Sequence, residues 1–211
     1  MRLIVAIVLL MTAPLARAEG ERAGEFDYYV LALSWNANWC AREGDARGAD
    51  QCDARHDYGF VLHGLWPQFE QGWPSYCRSV ELDPSRRQTR EMVDIMGSSG
   101  LAWHQWNKHG RCTGLSAKAY FDLSRAAFAS VTRPEVLRKI PETMNIPPKV
   151  IEAAFLEVNP ALEADGVTVT CKGFDFQEVR ICLARDLTPR RCGFDVIRDC
   201  GRGRIAVEPV R

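Results

Sequence analysis

Three of the four histidines in this 211-residue chain fall in two short stretches. The other residues there are those of proton transfer and anion binding. Ala102–Cys112 reads Ala-Trp-His-Gln-Trp-Asn-Lys-His-Gly-Arg-Cys and holds His104, Gln105, Lys108 and His109. Phe60–Gln68 reads Phe-Val-Leu-His-Gly-Leu-Trp-Pro-Gln and holds His63 and Trp66. His56 lies outside both. A neutral imidazole takes a proton and a protonated one returns it. An ammonium stabilises developing negative charge, and indoles offer faces for stacking planar rings. Any one of these histidines alone reads equally well as a solvated or hydrogen-bonded side chain. The density of the cluster is what points to a site.

If Leu101–His109 is helical, residues four apart share a face. His104 then sits above Lys108 and Gln105 above His109, with Trp103 and Trp106 anchoring the other side. His63 ends an apolar strand, and Gly64 with Trp66-Pro67 makes a rigid corner after it. Zinc chemistry fits poorly: His104 and His109 are five apart rather than the four of a helical pair, and no acidic ligand stands between them. No Gly-x-Ser-x-Gly elbow supports serine catalysis. General acid–base phosphoryl transfer fits better. One imidazole takes a proton from a hydroxyl, a second gives one to the leaving oxygen, and a lysine balances charge at phosphorus. If the nucleophile is a ribose 2′-hydroxyl, neither metal nor enzyme nucleophile is required, and aromatics in the cleft stack unpaired bases. An acid and a base histidine coexist best in mildly acidic solution.

The elements that must position these residues are legible in outline. Arg2, an apolar run Leu3–Met11 and Ala16-Arg17-Ala18 mark residues 1–18 as a signal peptide, followed by one domain over 19–211. The expected location is therefore secreted or periplasmic, with no membrane span. Without Arg2 and Arg17 the chain has 25 basic against 27 acidic residues, which argues against a broad basic face for duplex nucleic acid. The absence of Asn-x-Ser/Thr triplets agrees with a bacterial periplasm. Eight cysteines, Cys40, Cys52, Cys77, Cys112, Cys171, Cys182, Cys192 and Cys200, follow the export signal and read as disulfides.

Strands are expected at Asp27–Trp35, Tyr58–His63, Val167–Cys171, Phe174–Ala184 and Cys192–Asp199. A loop stapled by Cys40 and Cys52 spans Asn36–Asp57. Helices are expected from Asp83-Pro84-Ser85 to about Met96, over Leu101–His109, Ser116–Val131 and Pro134–Ile140, and from Pro147 or Pro148 to Asn159. In the third of these Ala119, Tyr120, Leu123, Ala126, Ala127 and Phe128 face inward. In the last Val150, Ile151, Ala154, Phe155 and Val158 do. Helices in the middle and strands at both ends imply an α+β fold: a central antiparallel sheet with helices packed on it, in a disulfide-stapled single domain.

His-Gly-Leu-Trp-Pro (His63–Pro67) and His-Gln-Trp-Asn-Lys-His-Gly-x-Cys (His104–Cys112) resemble the two active-site segments of the ribonuclease T2 family. Leu-Ala-Leu-Ser-Trp near the start and the cysteine-bearing strands near the end are similar too, so the likeness covers nearly the whole chain after the export signal. The resemblance implies an endoribonuclease that cleaves single-stranded RNA with low base specificity and no metal or other cofactor. Cleavage would pass through a 2′,3′-cyclic phosphate to a 3′-phosphate, in a monomer. It implies that His63 donates and His109 accepts the proton in the first step. Lys108 stabilises the transition state, His104 holds phosphate and Trp66 belongs to a base site. It also implies the pairs Cys77–Cys112, Cys40–Cys52 and Cys182–Cys192, the last nested within Cys171–Cys200.

Gln105 departs from the pattern, since most of the family has glutamate there. A glutamine carries neither charge nor proton, so an anion that would favour protonated His63, His109 and Lys108 is missing. That loss motivates an alternative, a catalytically impaired RNA-binding protein on the same fold. A metal-binding secreted protein is a third possibility. For the base sites, Gln68, Trp73 and Tyr76 are candidates near Trp66, while Ser98, Ser99 and Leu101 match the family's second base site poorly.

Overall fold

The computed structural model describes residues 21–198 and 200–211. The expected signal peptide over residues 1–18 lies outside the described residues. In chain order the elements are β1 (Tyr28–Trp35), α1 (Asn36–Trp39), β2 (Phe60–Gln68), α2 (Arg86–Glu91), α3 (Val93–Met96), α4 (Ser99–Lys108), α5 (Ala117–Ser130), α6 (Glu135–Arg138), β3 (Met144–Ile146), α7 (Pro148–Val158), β4 (Val167–Lys172), β5 (Asp175–Leu183) and β6 (Ile205–Val207). Short 3-10 and π turns fill the segment between α1 and β2, which Cys40–Cys52 staples. Among the described residues no helix is long and apolar enough to cross a membrane.

The sheet runs β2-β1-β5-β6-β3, with β4 also paired to β5. Every pairing is antiparallel except β5–β6, which meet at the parallel pair Asp175–Ala206. Directly opposed residues share a face. Leu31, Leu33 and Trp35 of β1 line up with Leu65, Leu62 and Phe60 of β2, and with Ile181 and Val179 of β5. This face packs with Trp106, Tyr120, Phe155 and Phe176 into the main core. The opposite face carries Val30, Ala32 and Ser34, aligned with Trp66 and Gly64 of β2 and with Cys182, Arg180 and Glu178 of β5.

Two irregularities mark this second face. Ala32 opposes Gly64 but Leu33 opposes Leu62, so His63 is the extra residue of a β-bulge. In a regular strand His63 and Trp66, three apart, would point to opposite faces. The bulge puts both on the polar face and leaves Leu62 and Leu65 both in the core. On β5, Thr170 opposes Glu178 and Cys171 opposes Phe176, so Gln177 is left out of register.

Several expectations are corrected. β2 does not end at Gly64 but runs to Gln68; it is an edge strand, where Pro67 removes no ladder bond that the sheet needs. The helix after Ser85, closed by a capping box with Gln88, breaks at Met92 and resumes as α3. α4 begins at Ser99 because the Ser98 hydroxyl accepts from the Leu101 amide. The buried stripe of α5 is Ala117, Tyr120, Phe121, Ser124 and Ala127, rotated from the expected one, and Tyr120 donates its hydroxyl to the Leu65 carbonyl at 3.1 Å. Val150 and Val158 of α7 are exposed, and Pro148, Ile151 and Phe155 face the core. No strand forms over Cys192–Arg198: Cys192 is held by its bond to Cys182 and the Gly193 amide donates to the Tyr28 hydroxyl at 3.1 Å. β3 and β6 take the sheet edge instead. The remaining disulfides are Cys77–Cys112 and Cys171–Cys200, and no cysteine is free.

Candidate active site

The polar face of the sheet and the C-terminal half of α4 enclose a cleft of 300 Å³. His63, Trp66 and Gln68 line it from β2, Gln177, Glu178 and Arg180 from β5, and His104, Gln105, Lys108 and His109 from the α4 side. Trp73, Val30, Asp195 and Val196 complete the wall. The two sequence stretches therefore face each other across one space.

The strand wall is built around a carboxylate. His63 Nδ1 meets Glu178 Oε2 at 2.8 Å. Arg180 donates to Glu178 Oε1 from Nη2 at 2.7 Å and from Nε at 3.0 Å. Glu178 is completely buried. Burial pushes its carboxyl up, but the hydrogen bond and charge of His63, with the Arg180 guanidinium, override that and hold it below the usual carboxylate range. Glu178 thus reads as an ion bonded on both oxygens.

The helix wall is built the other way. His109, the residue capping the C-terminus of α4, is 5% exposed, and its Nδ1 is buried without a hydrogen-bond partner. Burial, then the neighbouring Lys108, His63 and His104, push its pKa down to about 3. His104 is more open; burial, Lys108 and His63 push it down as well. Lys108 has no ion pair among the described residues. The helix end is tied down by the Cys77–Cys112 bond and by the Tyr76 amide, which donates to the Lys108 carbonyl at 2.9 Å.

Trp66 and Gln105 stand between the walls. The Trp66 ring stacks on His109 at 5.2 Å and meets His63 edge-on at 5.1 Å. Arg180 lies over the same ring at 5.3 Å. The Trp66 indole N–H donates to Gln105 Oε1 at 2.7 Å, and Gln105 is 1% exposed. A Cβ on Gly64 would fall 2.2 Å from that oxygen, so the close approach of β2 to α4 requires glycine there. Of the two tryptophans expected to anchor α4, Trp106 is buried and donates to Asp83 at 3.0 Å, whereas Trp103 is 40% exposed.

The remaining candidates divide. Gln68 and Trp73 line the cleft. Ser98, Ser99 and Leu101 line a separate groove of 720 Å³ on the other flank of His63, with Trp39, Arg42 and Lys172. Tyr76 lines neither. His56 stays outside, at 3.1 Å from Asp50 and stacked on Tyr58. Glu178 and Arg180 escaped the sequence reading. Their signal was available: two opposite charges two apart in an expected strand share a face, as alternating apolar residues do.

Comparisons with known proteins agree on one family. The sequence model described as "Ribonuclease T2 family" matches residues 26–192. A protein named ribonuclease from Aeromonas hydrophila is 44% identical over 128 residues, covering 59% of this chain and 56% of that protein. Ribonuclease I of Escherichia coli is 23% identical over 227 residues, covering 87% of this chain and 85% of that one. The matched stretch spans about half the length of the Aeromonas relative and of a probable ribonuclease from Haemophilus influenzae. Among solved structures, the RNase-related protein from Calystegia sepium superposes with a TM-score of 0.69 at 19% identity, over 89% of this chain and 99% of that one. RNase NT, solved with 5′-AMP, gives 0.60 at 21% identity, over 88% of this chain and 98% of that one. At these identities the structures speak for the fold.

Proposed function

The chain belongs to the ribonuclease T2 family, and we propose that it is an endoribonuclease cleaving single-stranded RNA by transphosphorylation. His109, neutral, takes the proton of the ribose 2′-hydroxyl. The 2′-oxygen attacks phosphorus, the bond to the 5′-oxygen breaks, and His63, protonated, delivers its proton to that leaving oxygen. A 2′,3′-cyclic phosphate results. In the second step His63, now neutral, takes a proton from water as it attacks phosphorus, the bond to the 2′-oxygen breaks, and protonated His109 returns its proton to that oxygen, leaving a 3′-phosphate. Lys108, beside His109 and without an ion pair among the described residues, stabilises the charge that builds on the phosphoryl oxygens, and His104 holds the phosphate. Trp66, with Gln68 and Trp73 nearby, is the base-stacking side of the cleft, and stacking of this kind gives low base specificity.

The observation that carries this reading is the pairing of two imidazoles on one cleft in opposite surroundings, one against a buried carboxylate and the other buried among cations. Such a divergence supports His63 as the acid and His109 as the base. The Gln105 side chain accepts from the Trp66 indole, and His63, His109 and Lys108 all line the cleft beside it, which supports activity without a carboxylate at position 105. The test is incubation of the purified protein with single-stranded RNA in a chelator, between mildly acid and neutral pH. Cyclic-phosphate ends are expected; their absence overturns the proposal. The same digest of defined oligonucleotides reads base preference. Export to the periplasm or medium is tested by N-terminal sequencing of the recovered protein, which should begin near Glu19.

A further inference from the structure

We propose that Glu178, pinned by Arg180, is the positioning residue that presents His63 as the proton donor, supplying from the sheet the negative charge that the neutral Gln105 does not supply from the helix. This rests on the ribonuclease reading of the same cleft. Both Glu178 oxygens are committed, Oε2 to His63 Nδ1 at 2.8 Å and Oε1 to two Arg180 nitrogens at 2.7 and 3.0 Å. A fully buried carboxylate bonded at both ends has one orientation, and removing either partner leaves a costly unpaired charge. With Nδ1–H donated to Glu178, the imidazole is locked with Nε2 as the nitrogen left for substrate.

Arg180 has a second task. Glu178 commits one oxygen to His63 and the other to Arg180. The paired guanidinium bonds hold it on the sheet. The groups facing His63 are Glu178 and Arg180 from β5 and His104, Lys108 and His109 from the α4 side, with Asp195 on the far wall. Of the two carboxylates, Glu178 is the one within bonding distance of the ring. The same Arg180 lies over Trp66, whose indole is bonded to Gln105, so the donor's support is continuous from β5 to α4.

The experiment uses the full-length exported chain and two readouts. The first is the pH–rate profile of RNA cleavage. The second is the proton NMR titration of the His63 ring, which needs no activity. In Glu178→Gln, His63 is expected to lose its proton about one pH unit lower, moving the alkaline limb down by the same amount while the acid limb stays. Arg180→Gln, which leaves the carboxylate unneutralised, moves the alkaline limb the other way. Gln105→Glu placed on Glu178→Gln returns part of the lost alkaline activity. A merely structural ion pair predicts instead a loss that is uniform across pH, an unmoved His63 titration and no rescue; that result overturns the proposal. If wild type does not cleave RNA, the ribonuclease reading falls, and the NMR arm still decides whether Glu178 governs the His63 proton.

Discussion

The two walls of the cleft solve opposite problems with the same side chain. On the strand wall an imidazole is given a buried carboxylate, itself held by a guanidinium, and stands one-third exposed. On the helix wall an imidazole is buried, left without a partner at Nδ1 and surrounded by Lys108 and His104. The same side chain therefore stands in two opposite surroundings, and the proposed division into acid and base rests on that difference in charge and burial. The lesson is that the histidine count of a site says less than the company each histidine keeps.

Removing either member breaks the comparison outright. His109→Ala and His63→Ala are each expected to lower cleavage by about 10²–10⁴-fold, measured on single-stranded RNA in chelator. Equal, background-level cleavage by both variants and by wild type would instead favour an RNA-binding protein on this fold. Lys108→Met is expected to cost about 10²-fold in kcat, with a smaller change in KM, since its charge matters most when negative charge builds at phosphorus. A KM effect alone would place Lys108 in ground-state binding.

Acid tests the helix wall through stability. His109 binds its proton at about 3 in the folded state and near 6.5 when unfolded. Below about pH 6.5 the unfolded chain takes up a proton that the fold refuses, so stability is whole above that pH and falls as pH drops toward about 3. By pH 4 the loss is on the order of 3 kcal/mol, and His109→Gln should remove that part of the acid sensitivity in urea melts. With His109 as the proposed base, activity should have the same sign: His109 stays neutral in mild acid, and an acid limb is expected only on approach to about pH 3.

The smallest effect sharpens the comparison. Gln105→Glu keeps an acceptor for the Trp66 indole but adds an anion to the helix wall. Activity should survive, and both limbs of the pH–rate profile should move up by a fraction of a unit. An unchanged profile would show that charge at position 105 does not reach the imidazoles.

The sequence marked the two stretches that meet across the cleft, because they are short, dense and rich in residues that seldom cluster. The α+β sheet was legible from the strand-like ends and the helical middle. Three things were hidden. The bulge at His63 cannot be read from alternation, since Gly64 looks like a strand end rather than the contact point with Gln105. Glu178 and Arg180 lie within an expected strand and belong to no motif; the register of β1 with β5 puts them on the polar face, where Glu178 reaches His63. The inward side of α5 was misjudged because a polar residue, Ser124, lies in its buried stripe while the apolar Ala126 is exposed.

The bulge in β2 has a consequence for how such a chain can change. Side chains on either side of His63 follow two different alternation phases, and the single extra residue is the joint between them. Substitutions within Phe60–Gln68 alter one contact at a time. Deleting His63 would only remove the bulge and keep Leu62 and Leu65 in the core, but deleting any other single residue while the bulge persists would invert one arm of the strand relative to the other. The number of residues in this strand is therefore constrained more tightly than most of their identities, and insertions or deletions are tolerable only where the chain has already left the sheet.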